Sequence, residues 1–274
     1  MPELSVVIIT RNEQMNVLRC LDSVKPIADE IVVVDSMSAD DTVRICRESG
    51  CLVFQRVFDG YGTQKQFAVD HAANDWVLSI DADEVVTEEL QQEINLLLHR
   101  NPPSGSRIPD PASAPSQPPP TGGGEIPHPA YRIPFSLYYM GRLLSHGGVG
   151  NEFHLRLFDR TRGGFTKVPV HEGIEVKGST GTLKGRIIHY SYRDISHHLQ
   201  KIDIYTSRAA EGYRMSGRSF SRSWAVVKFP AVFFTFYIIK LGFLDGYPGF
   251  IWSFMAAVHA TLKVAKTIEL NSKP

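Results

Sequence analysis

Residues 76–84 read WVLSIDADE, five apolar or small positions followed by acids at 81, 83 and 84. A run without period-two alternation suits a strand covered on both faces, and this one stops on carboxylates whose mutual repulsion asks for a neutralising cation. The same kind of run occurs upstream as LSVVIIT (4–10), which leads into RNE, and as EIVVVDS (30–36). Helical patterns lie at 13–23, 39–49, 63–73 and 88–99, with LVFQR (52–56) as a further short run. This alternation predicts an α/β fold, a mostly parallel sheet with helices on both faces. In such sheets the loops after the strands line the ligand crevice, so Thr10–Glu13, Asp35 and Asp81–Glu84 are expected on one edge.

The punctuation agrees with this division. Ser38 before Ala39-Asp40-Asp41 reads as a capping box and Gly50 as the end of that helix, while Thr87 with Glu88 and Glu89 starts another. Residues 101–130 are Pro, Gly and Ser with almost no large apolar side chain, so a flexible insertion is expected there. Strand patterns return in YRIPFSLYYM, HLRLFDR and GRIIHYSYRD, joined by glycine-rich turns, and a helix is predicted at 194–216. The organisation expected is a domain over 1–193 and an apolar helical segment over 194–274.

With 274 residues, 43% of them hydrophobic, the chain can bury a substantial core. Lys plus Arg equals Asp plus Glu, 29 of each, which gives no reason to expect a nucleic acid as partner. Cys20, Cys46 and Cys51 form an odd set with no C-x-x-C, and are expected as reduced core residues. The opening MPELSVVIIT lacks a basic n-region and its apolar run is short, so a cytosolic start is expected.

Carboxylates at i and i+2 in a tight loop, as at Asp81 and Asp83, can face one hard cation. Magnesium or manganese held this way takes one or two protein carboxylates and leaves positions for substrate phosphates. The same acids also suit a turn and a helix start, and both readings stand on the residues alone.

Four stretches in order, SVVIITRNE, EIVVVDSMSADDT, GTQKQFAVDHA and WVLSIDADE, resemble the family 2 glycosyltransferases of the GT-A fold, whose hallmark is a D-x-D motif. IIHYSYRD and the apolar carboxyl end make the chain similar to the lipopolysaccharide-core β-glucosyltransferase branch. The resemblance implies that Thr10, Arg11, Asn12, Glu13 and Asp35 hold the uridine part of a UDP-sugar. It places a second acid after Asp35 in many members, where this chain has Ser36. It implies that Lys65 meets the diphosphate, although Lys65 also fits a solvated helix lysine. Asp81 would face ribose and metal, Asp83 would bind Mg2+ or Mn2+, and His189 would complete the metal shell, unless it is a packed strand residue.

Inverting transfer needs a base for the acceptor hydroxyl. The resemblance points to Glu172 in VPVHEGIEV, with His171 as runner-up, against the reading that Glu172 pairs with Lys167. The loop around Ser145 and His146 is expected to move, and Arg156 to meet an anionic acceptor or a neighbouring acid.

The carboxyl end holds FPAVFFTFYII between Lys228 and Lys240, then LDGYPG and a second apolar stretch. Two helices joined by a turn are predicted. Arg208, Arg214, Arg218, Arg222 and Lys228 precede or flank them, which suits a pair lying in the interface of an anionic leaflet rather than spanning it. The expectation is a metal-dependent inverting transferase that moves a hexose, glucose by preference, from a UDP-sugar to a lipid-linked saccharide. It would work at the cytoplasmic face of the inner membrane. A polyprenyl phosphate or capsule precursor as acceptor, and a non-catalytic nucleotide-sugar scaffold, are the alternatives.

Overall fold

The structure, a computed structural model, describes residues 3–98, 126–150, 152–166 and 173–272. Residues 101–125 of the expected insertion, and His171 and Glu172, lie outside them. The chain runs β1 (Leu4–Thr10), α1 (Val17–Val24), β2 (Glu30–Asp35), α2 (Thr42–Glu48), β3 (Leu52–Gln55), α3 (Tyr61–Asp70) and β4 (Trp76–Asp81). It continues with β5 (Glu84–Val86), α4 (Glu88–Leu97), β6 (Ala130–Tyr139), β7 (Arg142–Leu144), β8 (Phe153–Asp159), β9 (Gly163–Phe165) and β10 (Ile174–Val176). Then come β11 (Thr180–Thr182), β12 (Ile187–His189), α5 (Ile195–Met215), α6 (Arg222–Phe234) and α7 (Gly246–Ser272). A π-helical turn, Thr235–Ile239, and a 3-10 turn, Gly242–Asp245, separate the last two helices.

These elements divide into two compact units, residues 1–135 with 153–189, and residues 136–152 with 190–274. In the first, the strands run in the order β3-β2-β1-β4-β8-β6. β1 pairs in parallel with β2 and β4, β2 with β3, while β8 is antiparallel to β4 and β6. The sheet is therefore mixed beyond the parallel core. Alternate residues feed two faces: Val6, Ile8, Leu78 and Ile80 pack with Cys20, Leu21, Leu90 and Ile94 of α1 and α4. Val7, Val32, Val34 and Val77 pack with Ala68 and Val69 of α3. Burial on both faces is why these strands show no alternation in sequence.

The cap expected at Ser38 does not form. Helix α2 starts at Thr42 with Asp41 at the N-cap, because the Ser38 hydroxyl accepts from the Asn12 N–H while donating to Asp35, and Asp40 accepts from the Thr42 N–H instead. Thr87 does cap α4, accepting from the Leu90 N–H. Gly50, at φ +83, follows α2, where a left-handed residue ends the helix at least cost. The three cysteines are free, with Cys20 and Cys46 buried.

The second unit begins inside β6. Residues 137–139 pair with β7, and Leu137, Tyr139 and Leu144 pack with Tyr192, Ile195, Ile251 and Trp252. That packing is why residues 136–152 join the helices and why the division falls after 189 rather than at 193. Helix α6 and the π-helical turn form a helical run, Arg222–Ile239, of 18 residues with mean hydropathy 1.3 and none of them buried. By length and composition alone it can cross a bilayer, so it is longer than the apolar stretch suggested. The loop after β7, expected to move, is tied down: buried Asp245 accepts from the Ser145 and His146 N–H groups at 3.1 and 2.8 Å, and Trp252 Nε1 donates to the Gly147 carbonyl at 3.1 Å. A Cβ on Gly147 would stand 3.1 Å from the Trp252 ring, a tight contact, on a backbone at φ +68 that favours glycine.

Candidate active site

Register builds the site. Thr10 is opposite Asp35 and Ile9 opposite Asp81, so the three strand ends of β1, β2 and β4 deliver their polar residues to one edge of the sheet. The RNE and SMSADDT loops are then zipped together. Asn12 N–H donates to the Ser38 hydroxyl and its side-chain oxygen accepts from the Ala39 N–H, both at 2.8 Å, while the Glu13 N–H donates to Thr42 Oγ1 at 2.8 Å. Arg11 beside them is exposed.

Asp35 is fully buried. Its oxygens accept from the Thr10 hydroxyl at 2.9 Å, the Ser38 N–H at 2.8 Å and the Ser38 hydroxyl. It braces the turn that holds Met37 at φ 58, a conformation disfavoured for side chains other than glycine and asparagine. Ser36, in the place of a second acid, accepts from Gln64 Nε2 at 2.9 Å.

At the end of β4 the acids are compensated one by one. Lys65 of α3 lies 2.8 Å from Asp81 Oδ1. Arg156 of β8 lies 3.2 Å from Asp81 Oδ2 and 2.7 Å from Glu84 Oε1, with its guanidinium 5.1 Å from the Phe135 ring centre. Glu84 also accepts from the Asp81 N–H at 2.8 Å. Burial alone pushes the Asp81 carboxyl up, but the charges of Lys65 and Arg156 outweigh it and hold Asp81 well below the usual range. Burial pushes the Glu84 carboxyl up, with the Asp81 charge adding to it against the pull of Arg156. Two neighbouring acids are thus driven apart, Asp81 toward the ionised form and Glu84 toward holding a proton.

Antiparallel pairing of β5 with β12 sets His189 opposite Glu84 and brings its Nε2 to 3.2 Å from Asp83 Oδ2. Burial disfavours the imidazolium, yet the Asp83 carboxylate raises the His189 pKa above its ordinary value. Among the described residues no three His, Cys, Asp or Glu side chains converge as a ready ligand set. One carboxylate and one imidazole side by side are still a chemically suitable donor pair for a hard divalent ion that takes its other ligands from phosphate and water.

Of the residues singled out in sequence, Thr10, Asn12, Glu13 and Asp35 meet in one braced loop pair, and Lys65 and Asp81 form an ion pair. Asp83 and His189 form a second contact. Arg156, read as a contact for an acceptor or an acid, meets the acids, and Glu84 emerges as the residue that joins it to Asp81. The available signal was an arginine inside the apolar alternation of HLRLFDR, a costly placement unless it is paired.

The sequence model of glycosyl transferase family 2 matches residues 5–120. An uncharacterised glycosyltransferase of Rickettsia typhi is 30% identical over 100% of this chain and 89% of its own length. The lipopolysaccharide core biosynthesis glycosyltransferase LpsC of Rhizobium meliloti is 27% identical over 98% of this chain and 93% of its own. Among solved structures, glucosyl-3-phosphoglycerate synthase from Mycobacterium tuberculosis, in complex with Mn2+, UDP and glucosyl-3-phosphoglycerate, is 29% identical with a TM-score of 0.29, over 31% of this chain and 34% of that one. That overlap is too small to carry its ligands across. The D-x-D stretch at the end of β4, the braced loops at the ends of β1 and β2, and full-length relatives agree: the chain belongs to glycosyl transferase family 2.

Proposed function

We propose that the protein is an inverting hexosyltransferase that moves a hexose, glucose by preference, from a UDP-sugar to a membrane-anchored glycolipid of the lipopolysaccharide-core type, at the cytoplasmic face of the inner membrane. The observation that carries the reading is the strand end where Asp81 is held ionised by Lys65 and Arg156 beside the Asp83–His189 pair. A full-length likeness to a lipopolysaccharide core glycosyltransferase supports the acceptor class. The exposed apolar run at 222–239 supports a membrane location.

In this reading the braced loops carrying Thr10, Arg11, Asn12, Glu13 and Asp35 seat the uridine, and Asp81 faces the ribose. Asp83 and His189, with Asp81 adjacent, would hold Mg2+ or Mn2+, which when bound neutralises charge on the leaving diphosphate. Lys65, at the same strand end, supplies a fixed positive charge toward the diphosphate, and Arg156 holds the acids in place without solvent reorganisation. Glu172, or His171 in its stead, accepts the proton of the acceptor hydroxyl. The hydroxyl oxygen bonds to sugar C1 as the C1–O bond to the diphosphate breaks on the opposite face, and UDP leaves with the bonding pair.

The test is UDP release and hexose addition to lipopolysaccharide-core acceptor, with UDP-glucose and Mn2+. Transfer that disappears on chelation and returns with metal is the expected result. Full activity of Asp83→Ala with metal chelated, or binding of UDP-glucose without UDP release on any glycolipid, removes the mechanism.

A further inference from the structure

The helical unit contains a cleft of about 350 Å³ between α5, α6, the π-helical turn and α7. Ile202, Val232, Phe236, Trp252 and Met255 form its apolar walls. Lys201, Lys228 and Lys263, one from each helix, stand in the lining, and each is half-buried. Among the described residues none of the three makes an ion pair. Lys201 donates to the Ser191 carbonyl and lies over Tyr192, Lys228 lies over Trp224, and Lys263 over Tyr213.

No carboxylate lines the cleft, and His198 and His259 add two more basic groups. Burial, followed by the neighbouring positive charges, keeps both imidazoles below their ordinary pKa. Lys266, also on α7 but outside the lining, shows the contrast: it is 2.6 Å from Asp203. Partly desolvated ammonium groups without a counter-ion are destabilising until an anion completes them. Hydrocarbon walls with a cationic rim complement a molecule that carries both a phosphate and an acyl chain. The same unit exposes Val226, Val227, Phe234, Ile239 and Tyr247 to its surroundings, which makes a bilayer the source of that molecule.

We infer that this cleft takes the phosphate-bearing head and adjoining chain of an anionic membrane lipid, with the lysines of its lining supplying the positive charge that the phosphate needs. The inference deepens the lipid-linked acceptor and rests on that reading for its role in transfer, while the binding itself is measurable without turnover.

The experiment is isothermal titration of the full chain with monomeric dihexanoyl phosphatidic acid. Dihexanoyl phosphatidylcholine and inorganic phosphate are titrated at the same concentrations. Saturable binding of one phosphatidic acid per chain, with neither comparator bound, is expected. The triple variant K201Q/K228Q/K263Q should bind at least about 10-fold more weakly. Ala260→Trp, which fills the cleft and leaves the charge untouched, should weaken binding comparably while its circular dichroism stays that of the parent chain. No saturable isotherm for the parent chain, an unchanged isotherm in the triple variant, or equal binding of inorganic phosphate overturns the inference. Asp83→Asn separates the two readings: it should lose transfer and keep the lipid isotherm. A chain that binds lipid and never releases UDP removes the transferase alone, and one that transfers hexose without a lipid isotherm removes the cleft alone.

Discussion

The strand end of the first unit and the cleft of the second treat charge in opposite ways. At the end of β4 every buried or half-buried acid has a basic partner within the unit: Asp81 has Lys65 and Arg156, Glu84 has Arg156, and Asp83 has His189. In the helical unit, three half-buried lysines line an apolar cleft with no acid among the lining residues. Compensated charge rigidifies a site and sets its protonation in advance, as chemistry requires. Uncompensated charge beside hydrocarbon is half of an interaction, and the other half has to arrive from outside the chain.

Asp83→Ala should have the largest effect, because it removes the chemistry and leaves the compensation around Asp81 untouched. A fall in transfer of at least about 10³-fold with an unchanged melting curve is expected, read as UDP release. Near-parental turnover would mean that the paired acids are architecture only. Arg156→Ala attacks the compensation itself: ionised Asp81 loses one of its two cations and buried Glu84 its guanidinium donor, a change that costs about 3–5 kcal/mol in urea denaturation. A loss under about 1 kcal/mol would show that the sheet edge tolerates open charge as the helical cleft does.

The third test uses pH on the helical unit. His198 is buried, stacked near Trp252 and hydrogen-bonded at Nδ1 to the Tyr139 hydroxyl at 2.8 Å. Burial first, then His259, Lys201 and His197, hold its pKa down to about 4 against an ordinary 6.5. A histidine depressed in the folded state contributes stability that is present above its unfolded pKa and is lost as pH falls from about 6.5 toward 4. Measured as the difference between the parent's thermal melts and those of His198→Phe, which cancels the opposite contribution of Glu84, up to about 3 kcal/mol should go over that window. A difference between parent and His198→Phe that is level across the window would contradict the burial and positive surroundings that keep this imidazole neutral. The smallest expected effect is at Met37: glycine there relieves the φ 58 conformation, and a gain of about 0.5–1 kcal/mol is expected. A loss instead would show that the exposed methionine makes contacts worth more than the relief.

The strands, their order in the chain and the polar strand ends were legible because burial on both faces leaves unbroken Val and Ile runs, a local signal. Thr87 and Gly50 were legible for the same reason, since caps and left-handed ends act over three or four residues. Ser38 was misread as a cap because the same hydroxyl has a better use 26 residues away, at the Asn12 N–H, as well as at the nearer Asp35. Arg156 was read as meeting an acceptor or a neighbouring acid, and sequence left the choice open, since its partners are 75 and 72 residues upstream and nothing local specifies them. The lysines of the cleft are spread over three helices, and only Lys228 was singled out in sequence, as membrane-facing charge.

By itself, then, the order of residues determined which segments would be strands and helices, which strand ends would be acidic, and to which family the pattern belongs, because hydrophobic period and turn chemistry are encoded within a few positions. Only the tertiary structure decided which acid keeps its charge, which histidine meets which carboxylate, and that three distant lysines share one apolar cleft. Those outcomes depend on burial and on distances of about 3 Å between groups far apart in the chain, and electrostatic interaction follows separation in space, not in sequence.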